Sequence, residues 1–567
     1  MPIAGNVARF GIAGSMTFAT RVVLASASGL LYAVAFPPAD AGWIAFIALA
    51  PLMLAVIDPA TRAVSALFLG WLAGTIGCSL LVTTSVAEAA TRYFEASFGT
   101  ALLAGLLAPQ VYAAPWFGVF ALLARAIRRR SRGPVATALG IAAAWVACEL
   151  ARSRIGDGCP WVLLAHSQHG QPLLLQIADL GGAAAVSFVV ALTSVVLALG
   201  ADIVARREIP RGSSMLGLAI LLIVVLGGTV LYGRVQLARW ALPGSPSVRV
   251  AVIQANLPDA WRYSLRHVRD GLERMSSLTA GTAAARPDLV VWPENAISVS
   301  PATIEASFAD AARALPPGAR LLVGAPRTVQ SAPGRASLHN SAHLASADGE
   351  STPVYDKRFL TPWAETAPWP LAWIPGAWLG KPGDYVPGAA LDLPEVGGQR
   401  FAVSICSEAL YADLVRSQVQ RGASFLVNIS NDGWFGGRPA AAQHAAAVLL
   451  RAVESRRALV RGTTTGISMV VDPTGKRIAE ATYGSSTAIV ADVRAHHEMS
   501  LYTRIGDAFA WTCVVLVAAI LLPVPTDRRH AARGLRARAC AGASAPTCPP
   551  PCAGTRARRR TCAAPSA

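Results

Sequence analysis

Three separate segments of the chain carry a cysteine, a glutamate and a lysine, the residue types that acyl transfer through a covalent intermediate requires. Cys406 ends the apolar run FAVSIC, Glu294 follows VVWP, and Lys357 closes the motif YDK. A free cysteine has a pKa of about 8.5, so a nucleophilic thiol needs a base or a lowered pKa. Glu294 can take the proton, and Lys357 and the backbone N–H of Ser407 can stabilise the oxyanion of a tetrahedral intermediate.

Taken singly, each residue has a simpler interpretation. A cysteine at a strand end is usually a small buried hydrophobe, and a lone glutamate or lysine is usually solvated surface. The order and contexts of the three residues favour a joint role. Four motifs resemble signatures of the nitrilase superfamily: WPEN (292–295), YDK (355–357), ICSE (405–408) and SNDGWFG (430–436).

The resemblance implies that Glu294, Lys357 and Cys406 are catalytic. It further implies that Glu365 and Glu408, at matching positions, orient the lysine or an incoming amine and tune their pKa values, although a structural ion pair is the alternative. The superfamily often has an aromatic residue after the nucleophile, where this chain has Ser407. The backbone N–H of that residue is available whatever its side chain.

The composition indicates a membrane protein. Of the 567 residues, 53% are hydrophobic and only 15% are charged, which is too apolar for a soluble chain of this length. The net charge of +17 comes largely from arginine blocks beside apolar segments, a pattern typical of topology signals and not of nucleic-acid binding. The nine cysteines form no CxxC pair and have no ligand spacing with histidine, so we expect neither a metal nor another cofactor.

Apolar segments of suitable length predict about eight membrane-spanning helices. The first two are short, so a re-entrant pair or a signal-peptide-like start is the alternative there. Arginine blocks follow the fourth, sixth and eighth segments, and such blocks stay in the cytoplasm. The large polar region after the seventh segment should therefore face the periplasm from the inner membrane. The segments are residues 21–36, 42–57, 63–86, 99–127, 133–152, 180–205, 213–233 and 505–524.

The polar region has the pattern of an α/β fold. Short β-branched runs alternate with helical patterns, which argues for layered sheets covered by helices, and the superfamily resemblance sharpens this to an α-β-β-α sandwich. We predict strands at residues 248–253, 289–292, 321–324, 401–405, 425–429, 467–471 and 489–493, and helices at 262–285, 300–315, 411–422 and 439–461. The predicted organisation is a transmembrane region at 1–243, a nitrilase-like domain at 244–499, a final transmembrane helix at 500–526 and a disordered basic cytoplasmic tail at 527–567.

A loop rich in tryptophan, proline and glycine follows the catalytic lysine. Two interpretations are open: an arm that lies at the bilayer surface, faces lipid and guards the site, or a loop folded down with its indoles buried. The tryptophans are Trp363, Trp369, Trp373 and Trp378.

A nitrilase-like domain facing outward between membrane spans resembles the bacterial apolipoprotein N-acyltransferases. The resemblance implies that a phospholipid donates a fatty acyl chain to Cys406, and that the thioester passes it to the α-amine of the diacylglyceryl-cysteine of an apolipoprotein, the last step of lipoprotein maturation. Two alternatives stay open at this point. One is a membrane-tethered nitrilase-type amidase acting on a small amide, and the other is an inactive lipid-handling or transport scaffold.

Overall fold

The computed structural model describes residues 16–206, 213–240, 247–257, 265–297, 312–332, 335–362, 364–366, 385–389 and 392–522. A helical region extends to Trp240, an α/β region begins at Ser247, and two helices end the described chain.

The helical region consists of α1 to α10, which differ widely in length. Five segments are long and apolar enough to cross a membrane: Ala63–Arg92, Phe98–Arg130, Pro134–Arg154, Ala178–Ala205 and Ser214–Trp240. Three apolar helices are shorter: Phe18–Val34, Gly42–Ile57 and Ala508–Leu521. The helices are α1 (Phe18–Val34), α2 (Ala45–Ala48), α3 (Ala50–Ile57), α4 (Ala63–Phe94), α5 (Phe98–Tyr112), α6 (Ala114–Arg130), α7 (Pro134–Arg154), α8 (Pro172–Leu175), α9 (Ala178–Ala205) and α10 (Ser213–Trp240).

All eight predicted spans overlap these apolar helices, which fit a transmembrane bundle. The fourth predicted span is two helices, because the chain leaves helical geometry at Ala113, whose φ and ψ are −128° and −52°. Pro109 lies four residues earlier, and it has no N–H to donate to the carbonyl of Gly105, which removes one helical hydrogen bond from α5. The first two segments and the last one are shorter than a typical span, so their full crossing stays a prediction.

The α/β region contains two six-stranded sheets. The first has the order β12-β1-β2-β3-β4-β5 and the second has the order β11-β10-β9-β8-β7-β6. Each sheet has three parallel strands at its centre, β1-β2-β3 and β9-β8-β7, with antiparallel strands at both edges. The strands are β1 (Ser247–Gln254), β2 (Leu289–Val291), β3 (Arg320–Ala332), β4 (Arg335–Ala345), β5 (Ser351–Asp356), β6 (Glu395–Val396), β7 (Gln399–Ile405), β8 (Phe425–Ser430), β9 (Leu459–Thr463), β10 (Met469–Val471), β11 (Arg477–Glu480) and β12 (Thr487–Arg494).

Alternating side chains explain why the two sheets form a sandwich. One set of buried residues, which includes Val250 of β1 and Val403 of β7, fills the space between the sheets. Their chain neighbours point the other way: Ala251 packs with Met275 of α11 (Leu265–Ala280) on the outer face of the first sheet. Because successive strand residues face opposite sides, both faces of each sheet are covered. The α-β-β-α arrangement confirms the predicted fold class.

The second sheet is covered by helices that also contact the membrane helices. Leu426 of β8 and Val448 of helix α13 (Arg438–Ser455) belong to one buried cluster that continues into α4, α7 and α9. This layer consists of α12 (Ala412–Gln420) and α13 (Arg438–Ser455), and the described chain ends with α14 (Leu501–Ile505) and α15 (Ala508–Leu521). The α/β region and the helical bundle therefore share one continuous apolar core.

Two local predictions in the α/β region were wrong or incomplete. The helix predicted at 439–461 ends at Ser455, because Arg456 takes a left-handed conformation with φ of 53° and residues Leu459–Thr463 pair with β8 as strand β9. Strands β4, β5, β6 and β11 were not predicted, since their alternation includes many polar residues. Most of the helix predicted at 300–315 lies outside the described residues, as does the tail at 527–567.

Candidate active site

Glu294, Lys357 and Glu365 form a buried charged cluster at the carboxyl ends of strands β2 and β5. The Lys357 ammonium lies 2.7 Å from Glu365 Oε2 and 3.5 Å from Glu294 Oε1. All three side chains are almost fully buried. Burial lowers the pKa of Lys357, but the charges of Glu365 and Glu294 outweigh it and hold that pKa well above the ordinary lysine value. The two carboxylates therefore favour the protonated form of this lysine.

Asn340 of β4 links the members of this cluster, and sequence reasoning missed it. Its side-chain amide donates hydrogen bonds of 2.8 Å to Glu294 Oε1 and 2.7 Å to Glu365 Oε1. Its backbone carbonyl accepts the N–H of Lys357 at 2.8 Å. One buried residue thus holds both carboxylates and the lysine backbone, and no motif in the sequence distinguished it from an ordinary strand asparagine.

Cys406 enters the site from the other sheet, directly after β7. It has φ of 55°, a left-handed conformation that costs a non-glycine residue roughly 1–3 kcal/mol and is typical of functional turns. Asn428 of β8 donates its amide to the Cys406 carbonyl at 3.2 Å, which fixes the turn. The backbone N–H of Asn431, just beyond the next strand end, donates to Glu294 Oε2 at 2.8 Å. Residues at the end of β8 therefore hold both the Cys406 turn and the Glu294 carboxylate.

The environment of Cys406 keeps its sulfur protonated at rest. Burial raises the pKa of the thiol, Glu294 raises it further, and Lys357 partly opposes both. A thiol in such surroundings does not ionise spontaneously at neutral pH. Nucleophilic attack consequently needs proton transfer to a base at the moment of reaction, and Glu294 is the carboxylate whose charge acts on the thiol most strongly.

Glu408 fastens the lysine segment to the nucleophile turn. Oε1 accepts from the Tyr355 hydroxyl at 3.0 Å and from the backbone N–H groups of Arg358 and Phe359 at 2.6 and 3.0 Å. Oε2 accepts from the N–H of Ile405 at 2.9 Å. Burial raises the pKa of Glu408 to about 7, against the lowering effect of these donors and of the lysine. Glu408 therefore holds the segment after Lys357, through the N–H groups of Arg358 and Phe359, next to the nucleophile turn, through the N–H of Ile405.

Ser407 reaches the lysine through Thr361. The Thr361 hydroxyl lies 3.2 Å from Ser407 Oγ and accepts from the Lys357 ammonium at 3.3 Å, while its N–H donates to Glu365 Oε2 at 2.8 Å. Where the superfamily often has an aromatic side chain, this chain has a hydroxyl pair beside the cation. Thr361 is a second contributor that the sequence analysis did not identify.

A fully buried ion pair supports the turn behind the nucleophile. Arg461 donates to both oxygens of Asp432 at 2.8 Å and also to Asn428. His444 Nδ1 lies 3.1 Å from Asp432. Burial raises the pKa of Asp432, but Arg461 and His444 outweigh it and hold that pKa well below the ordinary value. Because these charged side chains pair with each other, their role is to hold Asn428 and the nucleophile turn in place.

Gly324 of β3 lies against the turn that carries Glu294, here called the glutamate turn, which leaves no room for a side chain at this position. A Cβ at this position would lie 2.6 Å from the Glu294 Cα and 2.7 Å from the Asn295 backbone nitrogen. Asn295 itself has φ of 52°. The missing side chain lets the turn approach β3 closely, which aims Glu294 towards the lysine.

The predicted site residues form two groups, those outside the described part of the chain and those inside it. The candidate arm residues Trp363, Trp369, Trp373 and Trp378 lie outside the described residues. Hydrogen bonds and ion pairs link the other candidates into one network, with Cys406 next to Ser407 in the chain: Glu294, Lys357, Glu365, Glu408 and Ser407. Among the residues that the structure covers, no group of three or more histidine, cysteine, aspartate or glutamate side chains has the arrangement of a metal site.

Comparisons with known proteins identify two matching family models. The apolipoprotein N-acyltransferase N-terminal domain matches residues 28–196, and the carbon-nitrogen hydrolase family matches residues 249–498. The second match covers the two-sheet region, in agreement with its nitrilase-like fold.

Full-length relatives extend this result. The chain is 31% identical over 506 residues to an apolipoprotein N-acyltransferase of Geobacter metallireducens, covering 88% of this chain and 94% of the relative. It is 31% identical over 520 residues to that of Azotobacter vinelandii, covering 90% and 96%. Together with the long apolar helices, these matches identify a membrane-embedded acyltransferase. The chain belongs to the apolipoprotein N-acyltransferase family.

Proposed function

We propose that this protein transfers a fatty acyl chain from a membrane phospholipid to the α-amine of the diacylglyceryl-cysteine of an apolipoprotein. The observation that carries the proposal is the joint burial of Glu294, Lys357 and Cys406 at the carboxyl ends of strands from two facing sheets. Family membership and the apolar helices support the two lipid substrates, since both are confined to the bilayer.

In the first half-reaction Cys406 attacks the phospholipid ester. Glu294 takes the thiol proton while the sulfur bonds to the carbonyl carbon. The oxyanion is stabilised by the Lys357 ammonium and the Ser407 N–H. The C–O bond then breaks, the leaving oxygen receives the proton from Glu294, and lysophospholipid departs. The fatty acyl chain stays on Cys406 as a thioester.

In the second half-reaction the neutral α-amine attacks the thioester carbonyl. The new C–N bond forms, the C–S bond breaks, and Glu294 carries the amine proton to the departing sulfur. Lys357 and the same N–H stabilise the second oxyanion. One site thus serves two substrates in turn, and ping-pong kinetics follow.

The arginine distribution supports an inner-membrane protein whose nitrilase-like region, residues 244–499, faces the periplasm. Arg125 and Arg129 near the end of α6 donate to the carbonyls of Thr61 and Pro59. In the loop beyond the opposite end of the next helix, α7, Trp161 donates to Gln443 of the nitrilase-like region at 2.9 Å. Because arginine-rich ends stay in the cytoplasm, this distribution supports a site on the periplasmic side.

The test is a thioester trap. Purified protein is incubated with phospholipid vesicles, quenched in acid, digested, and analysed by mass spectrometry for a fatty-acyl adduct on Cys406. We expect the adduct in the native protein, none in Cys406→Ala, and slow formation in Glu294→Gln and Lys357→Ala. A diacylglyceryl-cysteine peptide added before the quench should remove the adduct and gain its acyl chain.

The same assay separates the competing functions. Hydrolysis of a small amide without acyl capture would indicate an amidase and would refute the proposal. A Cys406→Ala protein with undiminished lipid turnover would refute the thioester route. The control is Glu395→Gln. Glu395 is exposed and pairs with β7 at the end of the strand away from Cys406, so this variant should be acylated at the native rate.

A further inference from the structure

Glu88 of membrane helix α4 lies against the loop that follows β8. A Cβ at Gly436 would lie 2.0 Å from Glu88 Oε2, and Gly436 also has φ of 78°. The position therefore accepts only glycine, both for its backbone and for its contact with this carboxylate. Glu88 nevertheless keeps 46% of its side chain exposed and pairs at 3.6 Å with Arg92 one turn later.

This loop leads directly to the candidate base. Asn431, whose N–H donates to Glu294 Oε2, caps the short turn Asp432–Phe435 with its side chain, and Gly436 ends that turn. A turn of this kind rises about 2 Å per residue, so its four residues span on the order of 8 Å. Glu88 is consequently a carboxylate that the membrane bundle supplies near the site.

The buried carboxylates of the site have other partners. Glu294 accepts from Asn340 and Asn431, Glu365 from Lys357, and Glu408 from four donors. Glu88 differs because its partner is a half-exposed arginine at 3.6 Å, a contact that solvent screens and that another cation can replace.

We infer that Glu88 binds the α-ammonium of the acceptor lipopeptide as it arrives from the bilayer. This inference rests on the proposed function and names the group that receives its second substrate. An α-amine has a pKa of about 7.7–8.0 and arrives mostly protonated at neutral pH. A half-exposed carboxylate attracts that charge without trapping it. The ammonium then releases one proton to solvent, so that Glu294 is free to take the next proton as the neutral amine attacks the thioester.

The experiment measures the two half-reactions separately. Native protein, Glu88→Gln, Glu88→Asp and the control Glu395→Gln are charged with phospholipid, and the rate of thioester formation is recorded. Each charged protein is then chased with a synthetic dipalmitoylglyceryl-cysteine peptide over a range of concentrations. A parallel chase uses hydroxylamine, which is uncharged at neutral pH and cleaves thioesters.

We expect Glu88→Gln to form the thioester and react with hydroxylamine at native rates. Its half-saturating concentration of lipopeptide should rise roughly threefold to fivefold, and the difference should shrink above pH 8.5 as the amine becomes neutral. Glu88→Asp, which keeps the charge, should recover most of the affinity.

Two results would overturn the inference: an unchanged lipopeptide dependence in Glu88→Gln, or equal behaviour of the glutamine and aspartate variants. If Glu88→Gln does not fold, a native lipopeptide dependence in Glu88→Asp at both pH 7 and pH 9 supports the inference, and a loss of lipopeptide affinity there overturns it. Failure of the native protein to form a thioester would instead refute the proposed function, so the two failures are distinguishable.

Discussion

The side-chain amide of Asn340 donates a hydrogen bond of 2.8 Å to Glu294, the carboxylate proposed to take the nucleophile's proton. The second N–H of the same amide donates to Glu365 at 2.7 Å. Two carboxylates that share one ammonium would repel each other, and a neutral donor between them reduces that repulsion. The position of the base therefore depends on a residue that carries no charge itself.

Replacing Asn340 with leucine should slow thioester formation. The substitution removes a hydrogen-bond donor from two buried carboxylate oxygens, which costs about 1–3 kcal/mol, so we expect a rate loss of roughly 10-fold to 100-fold. Mass-spectrometric thioester kinetics measure the effect. The control is Ser341→Ala in the same strand, which removes a buried 2.6 Å hydrogen bond to Asp356 but touches none of the candidate catalytic groups. Equal rates in the two variants would contradict the positioning role.

The ionisation of Glu408 predicts a pH dependence. Its four partners all donate, and protonation would replace an acceptor with a donor at one oxygen. Because burial raises the pKa of Glu408 to about 7, thioester formation should fall as the pH drops through 7. Glu408→Gln should form the thioester slowly at every pH, because the amide nitrogen of glutamine cannot accept a hydrogen bond. Since glutamine does not titrate, this variant should also lack the fall in rate at low pH. A native-like profile in Glu408→Gln, measured from pH 5.5 to 8.5, would exclude Glu408 as the cause.

The ionisation of Glu408 should change the stability of the folded protein with pH in the opposite direction from its effect on thioester formation. The pKa of Glu408 in the folded protein lies above its ordinary value of 4.5, so its contribution to stability is fully present below about pH 4.5. It is lost as the pH rises through about 7. Thermal unfolding of the native protein and of Glu408→Gln over this range gives the contribution as the difference in slope.

Gly324 provides a steric test of the glutamate turn. Alanine would place a methyl group 2.6 Å from the Glu294 Cα and 2.7 Å from the Pro293 carbonyl oxygen. Both neighbours are backbone atoms, so a change of side-chain rotamer cannot relieve the clash. We expect a loss of about 1–3 kcal/mol in stability and a fall in thioester formation of roughly 10-fold or more, because small displacements of catalytic groups are costly. Gly170→Ala, where a Cβ meets nothing within 4 Å, is the control. Native kinetics in Gly324→Ala would show that the turn tolerates displacement.

The α/β layering and the main side chains could be predicted from the sequence because both depend on local patterns, whereas the two-sheet sandwich was implied by the superfamily resemblance. Apolar runs identified the central strands, and Glu294, Lys357 and Cys406 stand in motifs next to them. The local pattern predicts residues 459–461 as the end of a helix, and only the pairing of residues 459–463 with β8, a tertiary contact, makes this segment a strand. Asn340 lies in a strand of mixed polarity, and its role depends on where two distant carboxylates meet it.

The ion pair between Arg456 and Asp179 predicts that the bundle and the nitrilase-like region unfold as one unit. Arg456 follows α13 and donates to Asp179 of membrane helix α9 at 2.6 and 2.9 Å, with both side chains buried. Removing one partner leaves an unpaired buried charge, which costs about 3–5 kcal/mol. Asp179→Ala should therefore lower the unfolding temperature in detergent strongly, as should Arg456→Met.

A double-mutant cycle decides whether the effect comes from the pair. Because the double variant buries no unpaired charge, it should be more stable than the sum of the two single losses predicts. The exposed pair of Arg239 and Glu498, at 2.6 Å, is the comparison, and Glu498→Ala should cost less than about 1 kcal/mol. Strictly additive losses at Asp179 and Arg456 would mean that each side chain acts through other neighbours, such as the Tyr232 hydroxyl that donates to Asp179 at 2.8 Å.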